Sequence, residues 1–165
     1  SETNLWVLLE TNGYGLTPQT LDAFKEAGVD SFWLDIKAFD EGDHKWLTGC
    51  FNRHLLKLPE EILKRGFVLE VLSLYIPNLV ETPQLQKIAN LLFEVDPGIP
   101  FTLLAFIPEY QMKRYKSPKA SEMVEAYHAV RATGLRNVRL GNTGVFLASE
   151  EDYHLLKENV EVGNY

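Results

Sequence analysis

Asp35 and Lys37, with Ile36 between them, are the residues of this 165-residue chain whose types and spacing offer chemistry most directly. In an extended strand alternate side chains share a face, so an acid and a base would stand ~7 Å apart on one side and Ile36 on the other. Charges on an inward face are costly unless paired or bound to a ligand, so such a set suits a zwitterion or a metal ion. A structural ion pair, with Glu10 and Lys37 as partners, explains it equally well. Glu10, Thr11 and Asn12 follow an earlier apolar run and supply a second polar group. The four histidines, His44, His54, His128 and His154, lack metal-site spacing and read as surface or packing residues, with His44 nearest the candidate site. Cys50, the single cysteine, reads as a small packed residue; alone it builds no disulfide framework, zinc site or cluster site. Gly13 and Gly15 begin like a dinucleotide-binding glycine run, but Pro18 stands where its third glycine is needed.

The elements that would hold these residues alternate strand and helix. Apolar runs at 5–9, 31–37, 67–76, 101–106 and 137–140 read as buried strands, each stopped by turn residues. Helices are expected from Thr17 and Pro18 to just before Gly28, from about 54 to 65, from about 82 to 95, from about 118 to 133, and from 149 to about 158. Pro59 places the true start of the second nearer Leu58. Residues 38–53, with Gly42 and Gly49, read as a long polar loop. Near-continuous apolar strands separated by helices imply a parallel sheet with right-handed crossovers. Five such units without a phosphate fingerprint favour a segment of a (β/α) barrel, one domain over 1–165 with a tail at 143–165. Ligands in such folds bind at the carboxyl ends of the strands, where Glu10, Thr11, Asn12, Asp35 and Lys37 would lie.

Composition narrows the function classes. A hydrophobic share of 45% and a charged share of 24% are those of a soluble globular domain. With 23 acids against 16 bases the net charge is −7, a poor match for sequence-independent nucleic-acid binding. The densest basic stretch, Lys113, Arg114, Lys116 and Lys119, reads as a solvated loop. No apolar run reaches membrane length and no leader opens the chain, so a soluble, cytoplasmic protein is expected.

Glu10-Thr11-Asn12-Gly13 and Leu34-Asp35-Ile36-Lys37, each ending a strand, resemble elements of the radical S-adenosylmethionine (SAM) activating enzymes of pyruvate formate-lyase type. Ile76-Pro77-Asn78, the stretch 100–108 and the stretch 137–142 resemble relatives of that enzyme in archaea and bacteria, so the likeness runs to about Asn142. The resemblance implies a partial radical SAM barrel lacking its first strands. It implies SAM contacts from Glu10, Thr11, Asn12, Asp35 and Lys37, with Lys37 toward the SAM carboxylate or ribose. A monovalent-cation site would be formed by Glu10, Thr11, the backbone of Trp33, and Asp35. The family pairs SAM with a 4Fe–4S cluster to make a 5′-deoxyadenosyl radical that abstracts hydrogen from a protein or small substrate, in some members installing a glycyl radical. The family's C-x-x-x-C-x-x-C loop and its G-G-E-P strand end are absent from this chain, so no cluster ligand and no complete catalytic set is expected in it. Two further family positions, a SAM-contacting arginine and a histidine, fall on Leu72 and Ile107 and do not carry over. Two rival readings stand beside this one: a degenerate, non-enzymatic barrel segment serving as a binding or scaffold module, and an unrelated metal-dependent barrel enzyme using Glu10 and Asp35. An uncovered first strand would invite a homodimer through the sheet edge, unless the tail from Glu150 covers it.

Overall fold

A computed structural model describes residues 5–161 and 163–165. Five strands, β1 (Leu8–Thr11), β2 (Ser31–Asp35), β3 (Val68–Tyr75), β4 (Phe101–Ala105) and β5 (Val138–Gly141), form one sheet in the order β1-β2-β3-β4-β5. Every neighbouring pair is parallel. Sequential order with right-handed crossovers keeps the connecting helices on one face, as in a barrel wall. Among the described residues the six α-helices are α1 (Pro18–Glu26), α2 (Glu41–Thr48), α3 (Leu58–Lys64), α4 (Thr82–Val95), α5 (Ala120–Arg131) and α6 (Glu150–Asn159). β1 and β5 are not paired to each other, so the barrel is partial and open.

Strand alternation sorts the sheet into two unlike faces. Phe32, Leu34, Ile36, Val71, Phe101 and Leu103 face the helices and are fully buried. Phe32 anchors this layer, edge-on to Phe67 at 4.9 Å and to Phe24 at 6.0 Å between ring centroids. The opposite, concave face is open. Glu10 pairs in register with Trp33, and Trp33 with Glu70, and the Trp33 ring is 38% exposed. Further along this face Thr102 Oγ1 donates to Glu70 Oε1 at 2.8 Å, with Arg139 Nη1 3.9 Å from the same oxygen.

Two expectations are corrected and one alternative is removed. Residues 41–48, read as loop, form α2. Asp40 caps it by accepting from the Gly42 and Asp43 amides at 2.8 and 3.1 Å, and Gly49 ends it at φ +79°. β1 is shifted toward its carboxyl end: ladder pairing spans Leu8–Thr11, while Leu5, Trp6 and Val7 are exposed. The C-terminal tail does not cover β1. It lies at the other edge, where the Leu140 amide donates to the Asn164 carbonyl at 2.6 Å, and among the described residues β1 has β2 as its one strand neighbour. Among the described residues no helix is long and apolar enough to cross a membrane.

Tyr75, buried beneath α4 and α5, provides a pH marker for this packing. Burial first, then the negative charge of Glu122 and Glu81, pushes its hydroxyl up to about 12 against the opposing hydrogen bond with Thr82. The folded pKa exceeds the unfolded value. The contribution to stability is therefore complete below about pH 10 and is lost as the pH rises toward 12. Urea midpoints measured across that window should fall more steeply for the wild type than for Tyr75→Phe. The differential is on the order of 1 kcal/mol, discounted for water reaching the hydroxyl.

Candidate functional site

The site is built at the carboxyl ends of β1 and β2. The β1–α1 turn is made by its own side chains: Thr11 Oγ1 accepts from the Gly13 amide and Asn12 Oδ1 from the Tyr14 amide, both at 3.1 Å. Gly13, at φ +74°, lets the chain turn directly over Leu34, Leu55 and Leu58. The end of β2 is fixed from the neighbouring strand. The Ile36 amide donates to the Leu72 carbonyl at 2.9 Å, and the buried Ser73 hydroxyl donates to the Ile36 carbonyl at 2.7 Å. Beyond it, the buried Asn52 side chain donates to the carbonyls of Ala38 and Phe39 at 3.1 and 2.8 Å, clamping the connection into α2.

Asp35 and Lys37 lie on the open side of this strand end, opposite Ile36, and form an ion pair. They line a cavity of about 390 Å³ together with Asn12, Gly13 and Tyr14 from the β1–α1 turn. Its far wall is His44 and Thr48 of α2, then Cys50, Phe51, His54 and Leu55. His44 is 5% exposed, with Nδ1 2.9 Å from the Cys50 carbonyl and 3.2 Å from Thr48 Oγ1. His54 Nε2 is bonded to the Leu16 carbonyl and ties this wall to the β1–α1 turn. The cavity is thus mainly apolar, with one ion pair at its rim.

Of the candidate residues, the fold brings together Asn12, Asp35 and Lys37. Glu10 and Thr11 line a second depression with Leu9, Gly15 and Phe24, and Trp33 sits mid-strand beside Glu10. The far wall (His44, Thr48, Phe51, His54) was not singled out as a site from sequence, because it belongs to α2 and the turn after it. The D-x-x-D spacing of Asp40 and Asp43 ahead of His44 is too weak a signal for a helix start.

Fit to the family's groups differs between them. Cys50 is the one free thiol, and among the described residues no three His, Cys, Asp or Glu side chains are grouped to hold a metal ion. These residues do not make a 4Fe–4S site. For the amino-acid end of SAM the donor set is suitable: a zwitterion can replace an internal ion pair, its ammonium meeting a carboxylate and its carboxylate a lysine.

No family model matches the chain. It is 28% identical over 129 residues to a Methanocaldococcus jannaschii protein described as a "Putative glycyl-radical enzyme activating enzyme"; the match covers 76% of this chain and 48% of that protein, so the chain spans about half the length of this curated relative. Among solved structures, a domain of pyruvate-formate lyase-activating enzyme from Bacteroides vulgatus superposes with a TM-score of 0.69 at 15% identity, covering 84% of this chain and 82% of that one. The HMG-CoA lyase of Brucella melitensis superposes at 0.60 and 15% identity, over 86% of this chain and 50% of the lyase. The two structural likenesses establish the fold.

Proposed function

We propose that this chain, 28% identical to a protein described as a putative glycyl-radical enzyme activating enzyme and folded like a domain of a pyruvate-formate lyase-activating enzyme, forms the C-terminal part of a radical SAM barrel and supplies one wall of the SAM site. The observation that carries this reading is the Asp35–Lys37 pair at the strand end, facing a cavity shared with Asn12. Lys37 would take the carboxylate of the SAM methionine moiety and Asp35 its ammonium, while the backbone turn at Asn12 and Gly13 closes the side. Glu10, Thr11 and the backbone of Trp33 would contribute, with Asp35, a monovalent-cation position beside it. In the complete protein SAM supplies the radical chemistry, with an iron–sulfur cluster as electron donor; this chain's residues bind, orient and exclude water. The cluster loop is not among its residues, so the chain by itself is proposed to be inactive and to hold SAM weakly.

Backbone amide spectra of the chain titrated with SAM to millimolar concentration test the reading. Shifts should concentrate at Asn12, Gly13, Asp35 and Lys37. Lys37→Ala should raise the apparent Kd by about tenfold, the loss expected for one charge-assisted hydrogen bond. No shift at those positions, or shifts that Lys37→Ala leaves unchanged, would remove them from the SAM wall.

A further inference from the structure

α2 separates two cavities. Its His44 and Thr48 face the Asp35–Lys37 cavity. On its other side Trp46 and Leu47 face the connection between β4 and α5, where Glu109, Tyr110, Met112 and Arg114 complete a groove of about 510 Å³. Four bases, Lys113, Arg114, Lys116 and Lys119, stand in that connection against one acid, Glu109. All four bases are exposed, and among the described residues none is in an ion pair with a carboxylate. Arg114 lies over two rings at once, 5.9 Å from the Trp46 centroid and 5.4 Å from that of Tyr115, and those rings are 6.0 Å apart. The Tyr110 ring is 83% exposed on a backbone at φ +47°. A tyrosine in that region costs on the order of 1 kcal/mol and persists where the surroundings hold it.

We propose that this groove is a docking site for an acidic, extended polypeptide segment carrying one aromatic or aliphatic side chain. Trp46, Tyr110 and Met112 receive the apolar side chain, and Arg114 with the flanking lysines pairs the segment's carboxylates. Charge complementarity selects this occupant. The basic patch is local, on a chain of net charge −7, so a short acidic segment reaches it while an extended polyphosphate backbone meets repulsion beyond it. An aromatic surface with an arginine stacked on it is the composition of an interface anchor rather than of ordinary surface. The inference does not depend on SAM occupying the Asp35–Lys37 cavity.

The test is fluorescence anisotropy of the full chain with a labelled synthetic peptide of Asp and Glu residues around a single Phe. Binding should saturate and weaken as salt screens the pairs. The same peptide with Lys in place of its acids should not bind, and replacing its Phe by Ala should weaken binding. Arg114→Ala and Trp46→Ala should each raise Kd by about tenfold, with melting temperatures reported for both variants. Lys37→Ala should leave this binding unchanged, which separates it from the SAM titration. Equal binding of acidic and basic peptides, indifference to both groove variants, or tighter binding of an oligothymidylate would overturn the proposal.

Discussion

Gly13→Ala is expected to cost about 3 kcal/mol of stability and to lower the melting temperature by roughly 10 °C. Two penalties combine. The residue sits at φ +74°, where a Cβ costs about 1 kcal/mol against the following carbonyl. That Cβ would also lie 2.7 Å from Cδ1 of both Leu55 and Leu58 and 3.0 Å from Cδ1 of Leu34. Leu34 and Leu58 are buried in the main core and cannot withdraw without displacing their neighbours. Gly15→Ala is the matched control two residues along: its Cβ would meet no heavy atom within 4 Å, so a change within about 0.5 kcal/mol is expected. Calorimetric melts of the three proteins decide the matter. A Gly13→Ala protein that melts with the wild type would mean the turn does not pass over the leucines as described. The consequence reaches the site, because the turn that would shift carries Asn12 and Tyr14 into the cavity with Asp35 and Lys37.

Which features could be read from residues alone follows from the range of the forces that fix them. β2, β3 and β4 were legible because each is an apolar run whose alternate residues, such as Phe32, Leu34 and Ile36, bury completely against helices. That alternation also predicted that Asp35 and Lys37 share a face. α2 was not legible. Its eight residues contain Gly42 and a run of charges, and weak intrinsic propensity is overcome by the Asp40 cap and by Gln84, which accepts from the Asp40 amide at 2.9 Å and donates to Asp43 Oδ2 at 2.6 Å. With α2 went the far wall of the cavity and the groove behind it. Hydrophobicity also misplaced β1. Leu5, Trp6 and Val7 are apolar, yet the first register pair with β2 is Leu8 with Ser31. Trp6 instead donates its indole N–H to Ser31 Oγ at 2.8 Å. The family likeness located Asp35 and Lys37 through motif order. Thr11 and Asn12, which it marked as ligand contacts, also shape the turn by accepting from the Gly13 and Tyr14 amides.

Anaerobic reconstitution of this chain with iron and sulfide is expected to yield no 4Fe–4S cluster. A site-differentiated cluster of the family's kind takes three thiolates, and the chain has one cysteine. Nor can other donors complete the set around it. Cys50 follows the α2 cap on the cavity wall, and the nearest histidine, His44, is committed by Nδ1 to the Cys50 carbonyl and Thr48. Iron-to-chain ratios well below one and no charge-transfer absorption should result, and Cys50→Ala should give the same background. The outcome is all-or-none, which makes it the sharpest separation between a chain that supplies a SAM wall and one that is itself a catalyst. A stoichiometric cluster that survives Cys50→Ala would mean iron is held by ligands no family loop provides, and the Asp35–Lys37 cavity would then have to be reconsidered as part of a different active site. If instead the cluster is absent while SAM still perturbs Asn12, Asp35 and Lys37, amino-acid recognition and electron supply reside in separate parts of the barrel, and the open concave face beside Glu10 and Trp33 is where the two would have to meet.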